Sequence, residues 1–121
     1  MRRLTIERVY DDGGRRAHEY RVLIDRLWPR GRTRESVDCD EWAAVVAPST
    51  PLRQWYAHDV TRFDEFVERY RDELAVGVAA QSVARLRTLR ARRGLVLLTA
   101  SRDIAHSHAS VLRDVLATPS R

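Results

Sequence analysis

Apolar and polar residues alternate along Leu4-Thr5-Ile6-Glu7-Arg8-Val9-Tyr10 and the run stops at Asp11-Asp12-Gly13-Gly14, which predicts a half-buried strand entering a turn. A second strand is predicted over Tyr20–Ile24 and a third over Leu95–Ala100, the latter announced by Gly94 and apolar almost throughout. That continuity implies burial on both faces, as in a sheet covered by helices. Between the second and third strands the period lengthens. Glu41–Val46 reads as a short helix stopped by Ala47-Pro48-Ser49, and Pro51–Tyr56 as another with proline in its first turn. From Thr61 to Ala75, Phe63, Phe66, Val67, Tyr70 and Leu74 recur at spacings of three and four, with Thr61 as the expected N-cap and Glu65, Arg69 and Glu73 on the wet side. Further helices are predicted over Ala79–Arg92 and Ile104–Leu116, with residues 117–121 as a frayed tail. The expected fold class is α/β, a small, mostly parallel sheet of about three strands flanked by about five helices.

A chain of 121 residues and 14.0 kDa, 44% hydrophobic and 32% charged, fits a single domain over residues 1–121 with one core. No apolar run approaches the roughly 18 residues of a membrane span, and the N-terminus lacks the apolar core of a secretory signal, so a soluble cytoplasmic protein is expected. Cys39 stands alone, without a partner for a disulfide or a metal-binding pair. The flanking Asp38 and Asp40 raise rather than lower a thiol pKa, which argues against a nucleophile. All 22 basic residues are arginine and the net charge is +5. Biased composition explains the arginine bias most simply. The cationic field nonetheless attracts anions, and a lysine Schiff base or lysine general base is chemically impossible here.

Five of these arginines, Arg85, Arg87, Arg90, Arg92 and Arg93, crowd the end of the helix predicted over Ala79–Arg92. Projected at 100° per residue they spread around its circumference, and the last complement the helix dipole, so a structural reading outweighs a nucleic-acid stripe.

The densest chemistry lies where strands empty into loops. The second strand runs into Asp25-Arg26-Leu27-Trp28-Pro29-Arg30-Gly31, in which the pre-proline residue favours extended backbone and Gly31 permits angles other residues avoid. The third strand runs through Thr99-Ala100-Ser101-Arg102-Asp103 into the last helix, whose free N–H groups suit an anion. If the two strands are parallel neighbours, both loops face one cleft at the carboxyl ends of the strands. Asp25 then acts on the ligand or pairs with Arg30 or Arg102 to hold the loop, and Asp103 is a site residue or only an N-cap. Trp28, Trp42 and Trp55 read as core before stacking platforms. His108 falls on an apolar helix face and reads as a satisfied buried histidine; His106 and His58 are better acid–base candidates, with Asp59 placed to orient His58. No phosphate-binding loop, Gly-x-Gly-x-x-Gly, Gly-x-Ser-x-Gly or His-Glu-x-x-His signature is present, and no metal or cofactor is expected.

The string Val22–Gly31, then Trp42, Ala47-Pro48-Ser49, Leu52-Arg53, Trp55 and His58, then Phe66, Tyr70 and Glu73-Leu74, then Leu97-Leu98, Asp103 and Ala109, Val111, Leu112, resembles the YeaO-like proteins of domain-of-unknown-function family 488 over nearly the whole chain. The resemblance implies a small bacterial α/β protein and carries no established activity. Asp25, Arg26, Arg30, Ser49, Arg53, His58 and Asp103 match its pattern. Where the family has Leu-Leu-Tyr this chain has Leu97-Leu98-Thr99, and where it favours His-Asn this chain has His106-Ser107, so roles resting on that phenol or amide do not transfer.

The reading favoured by these residues is a small anionic ligand, phosphate- or carboxylate-bearing, bound at the carboxyl ends of the strands, with turnover an open question. Arg26, Arg30, Ser49, Arg53, Ser101 and Arg102 are the expected ligand-binding residues; Asp25, His58 and Asp103 are the catalytic candidates. Two alternatives stand beside it. One is nucleic-acid binding, supported by charge and tryptophan content. The other is an interaction module in which the motif is purely architectural, with Arg30 and Asp25 locked in mutual salt bridges and no open cleft.

Overall fold

In the computed structural model, which describes residues 2–11 and 14–118, the sheet has four strands. They are β1 (Leu4–Arg8), β2 (Glu19–Leu23), β3 (Glu41–Trp42) and β4 (Gly94–Thr99), in the order β1-β4-β2-β3, and every pair is parallel. Four α-helices lie among the described residues: α1 (Thr50–Tyr56), α2 (Phe63–Leu74), α3 (Gly77–Arg92) and α4 (His108–Ala117). The two predicted strands that carry the loop motifs are neighbours, with Val22 opposite Leu97 and Leu23 opposite Leu98.

The predicted helix over Glu41–Val46 does not form. Glu41 and Trp42 add to the sheet edge beside Val22 and Leu23, and only Ala44–Val46 turn, as a 3-10 segment. Tertiary contacts override local propensity here: the Trp42 indole donates to the Asp25 carbonyl (2.7 Å) and Ala43 N–H to Leu23 O (2.8 Å). Thr61 is not the cap of α2. That position falls to Arg62, without a side-chain bond, and Asp59 instead caps the 3-10 turn, Val60–Arg62, that leads into the helix, accepting from Thr61 N–H (3.1 Å) and its hydroxyl (2.6 Å). The last predicted helix is likewise split. Asp103 caps a 3-10 turn, Ile104–His106, and Ser107 caps α4 through Ala109 N–H (3.1 Å). Ala117 is helical; residues 119–121 of the expected tail, and Asp12-Gly13 of the first turn, lie outside the described residues.

Period-two alternation divides the strands between two faces. Leu4, Ile6, Val22, Leu95 and Leu97 face all four helices, meeting Leu52, Tyr56, Phe66, Tyr70, Leu86 and Leu112 in the main core. Leu23, Val96 and Leu98 face the other way. Among the described residues no α-helix packs on them, contrary to the expectation from β4; Val9 and the segment after β2 do, the latter through Trp28, Val37, Cys39 and Trp42. Arg21 is wholly buried on this second face, donating to the Asp38 carbonyl (2.5 Å) and Glu7 (3.3 Å). Burial and the neighbouring Asp40 push the Cys39 thiol pKa up, away from reactivity. The arginines of α3 are partly spent on packing: Arg85 pairs with Glu41 and Arg87 donates to Val115 O (2.7 Å).

Candidate functional site

At the carboxyl ends of β2 and β4 the two motif loops border one cleft of about 940 Å3, within the size of ligand pockets. Its lining includes five arginines, Arg8, Arg26, Arg30, Arg53 and Arg102, against two aspartates, Asp25 and Asp103. Of the candidate residues read from sequence, Asp25, Arg26, Arg30, Arg53, His58, Ser101, Arg102 and Asp103 all border it. Ser49 does not. Its hydroxyl caps α1 through Leu52 N–H (3.2 Å) and donates to Glu73 (2.5 Å), while its N–H donates to the same carboxylate (2.8 Å), so it belongs to the join between α1 and α2.

Asp25 is the best-held group of the cleft. One carboxylate oxygen accepts from the Thr99 hydroxyl (2.8 Å) and His108 Nε2 (3.0 Å), the other from Ala100 N–H (2.8 Å). His108 Nε2 also faces the Ile24 carbonyl (3.1 Å); with acceptors on both sides, that nitrogen carries the proton. Burial alone would raise the Asp25 pKa, but donation from His108, Ala100 and Thr99 outweighs it and holds the carboxyl below its ordinary value. Asp25 is therefore an ionised tie between the ends of β2, β4 and α4. Among the described residues it pairs with neither Arg30 nor Arg102, and the ion pair that a purely architectural motif requires is missing.

The rest of Asp25–Gly31 divides in the same way. Arg26 donates to the carbonyls of Pro48 (3.0 Å) and Ala47 (3.2 Å), and the Trp28 indole donates to Arg32 O (2.7 Å) while its ring meets Trp42 edge-on at 5.4 Å. Gly31, at φ +79°, takes the left-handed turn that other residues resist. Tyr10 fixes the loop backbone by donating to Arg30 O (2.8 Å). The side chains of Leu27 and Arg30 are exposed, and that of Arg30 makes no hydrogen bond or ion pair among the described residues, as is true of Arg53 and Arg102.

His58 is exposed on the cleft at φ +61°, directly after Ala57 at φ +46°, two consecutive left-handed residues that are not glycine. Asp59 does not orient it, since its carboxylate is engaged by Thr61 and lies 3.5 Å from Arg62. The carboxylate-held imidazole is His106, whose Nδ1 lies 2.8 Å from Asp103; its ring meets Phe63 edge-on, and its carbonyl accepts from Tyr56 OH (2.6 Å). Their three-residue spacing was the available signal, because a 3-10 turn brings residues i and i+3 together. His108, which sequence assigned to the core, is half-buried and borders the cleft as the partner of Asp25; nothing local in the sequence marks that pairing. The Ser101 N–H donates to the Thr99 hydroxyl oxygen (3.2 Å), and Arg102 is exposed. Among the described residues no three His, Cys, Asp or Glu side chains form a metal-holding cluster, and no helix is long and apolar enough to cross a membrane.

A family model described as the "Inactive DUF488-N3 subclade" matches residues 3–120. The chain belongs to the DUF488 family. It is 42% identical over 119 residues to an uncharacterized protein of Mycobacterium tuberculosis strain H37Rv, covering 94% of this chain and 93% of the relative. An uncharacterized protein of Mycobacterium bovis is similar to the same extent. It is 37% identical over 113 residues to uncharacterized protein YeaO of Escherichia coli K12, covering 93% of this chain and 96% of YeaO. No solved structure matches. In this DUF488 chain Thr99 supplies a hydroxyl to Asp25, and Ser107 caps α4.

Proposed function

We propose that this DUF488 protein binds a small phosphate- or carboxylate-bearing ligand in the cleft. One observation carries the reading: Arg30, Arg53 and Arg102 border one concave site and, among the described residues, none of their side chains has a hydrogen-bonding or ionic partner. Like charges gathered at a partly enclosed surface repel one another, and an anion relieves that repulsion. A guanidinium also grips phosphate or carboxylate through two parallel N–H groups.

Two of the candidate acid–base groups speak against turnover, whereas His106, held by Asp103, is placed for proton transfer at the cleft. Asp25 is saturated by three donors and kept ionised, a poor proton acceptor at neutral pH. His58 has no orienting carboxylate, and the subclade to which the chain is matched is described as inactive. Nucleic-acid binding has less support, because Arg85 and Arg87 of α3 are engaged with Glu41 and Val115.

The reading is tested by following thermal unfolding of wild type and Arg30→Ala across a panel of nucleotides and sugar phosphates. A ligand that binds the cleft stabilises the wild type by about 2.7 kcal/mol at a hundredfold excess over Kd. Arg30→Ala gains less, and added salt reduces both gains. Equal stabilisation of the two proteins contradicts the assignment of Arg30.

A further inference from the structure

The cleft is not a bare anion hole. Among the described residues five large hydrophobic side chains are exposed, and two of them, Leu27 at 62% and Val60 at 51%, border it. Pro29 lies beside Leu27, and the stacked pair Tyr56–Phe66, with ring centroids 4.3 Å apart, lines another part of the surface. Leu27 and Arg30 are also set apart within their loop. Asp25 ties strand ends together, Arg26 holds the 47–48 backbone and Trp28 covers the second sheet face, which leaves one apolar and one cationic side chain turned out, three residues apart. An inorganic anion fills only a small fraction of a cleft of about 940 Å3 and leaves its apolar surface wet.

Resting on the anion site proposed above, we infer that the ligand joins its anionic group to an apolar body at least the size of an aromatic ring, packed on Leu27 and Val60. The guanidinium groups fix the charged end. The apolar walls supply further affinity in proportion to the area they remove from water, and they discriminate against small inorganic anions.

The experiment compares inorganic phosphate, phenyl phosphate and phenol by isothermal titration calorimetry with wild type, Arg30→Ala and the double variant Leu27→Ser/Val60→Ser. Both apolar positions are exposed, so the double variant keeps the fold, which circular dichroism checks. The expected result is that phenyl phosphate binds on the order of tenfold tighter than inorganic phosphate and that the double variant removes most of this margin. Phenol is expected to bind weakest, and Arg30→Ala to weaken both phosphates. Equal affinity for phosphate and phenyl phosphate overturns the apolar-body inference and leaves the anion site standing. Phenol binding as tightly as phenyl phosphate, with no binding of inorganic phosphate, overturns the anion site instead. No heat from any of the three overturns both.

Discussion

Asp25 was recognisable from sequence as the acid of a specific loop, but its partners were not. Thr99, Ala100 and His108 stand at least 74 positions away, and they reach the carboxylate only because β2 and β4 pair in parallel and α4 begins beside their ends. The consequence is measurable. Because its native pKa lies below the ordinary carboxylate value, Asp25 contributes its full share of stability above that value, near pH 4, and loses it as pH falls through the lower native value. Asp25→Asn turns an amide donor toward groups that already donate; urea unfolding at neutral pH is expected to register a loss of about 2 kcal/mol, shrinking as the medium is acidified. An unchanged acid limb of stability would assign no ionic role to the pair. His58 makes the opposite case. Its left-handed backbone favours glycine, so His58→Gly is expected to raise stability by about 1 kcal/mol in the same assay, and a loss instead would mean that the imidazole makes a contact worth more than the strain.

Secondary structure was legible where periodicity ran long. β4, α2 and α3 stand close to their expected places because six or more residues carry each pattern. Elements of two or three residues were not, since they have no period: Glu41-Trp42 became an edge strand because β2 offered a pairing partner, and the last helix is preceded by a separate 3-10 turn because Asp103 and Ser107 each cap a segment. Ser49, expected among the ligand-binding residues, does not border the cleft and instead caps α1 and binds Glu73. Ser49→Ala is expected to cost about 1 kcal/mol through the lost cap while leaving ligand affinity unchanged by calorimetry; a large affinity loss would place Ser49 in the site after all. Arg21 is the other element-level tie. Breaking a buried ionic contact typically costs about 3 kcal/mol, and Arg21→Ala is expected to approach that loss in urea unfolding, a milder effect being the sign that Glu7 is rehydrated freely.

At the scale of the molecule, the α/β class and the meeting of the two loop motifs followed from their shared position after adjacent parallel strands. The asymmetry did not: an apolar strand implies two covers without saying that one is built from helices and the other from the segment carrying Trp28 and Val37. That division explains the cleft. The segment that covers the second face begins at Asp25, so the same residues close the core and present Leu27 and Arg30 outward, while α1 and the loop before α2 bring Arg53, His58 and Val60 to the same cleft. The proposed phosphate-bearing ligand sits in this cleft. Titration of the 15N-labelled protein with phenyl phosphate, followed by amide chemical shifts, tests it most directly. Saturable shifts are expected at residues 26–31, 53–60 and 100–108, reduced in Arg30→Ala. Shifts centred on α3, or none at saturating ligand, would contradict it.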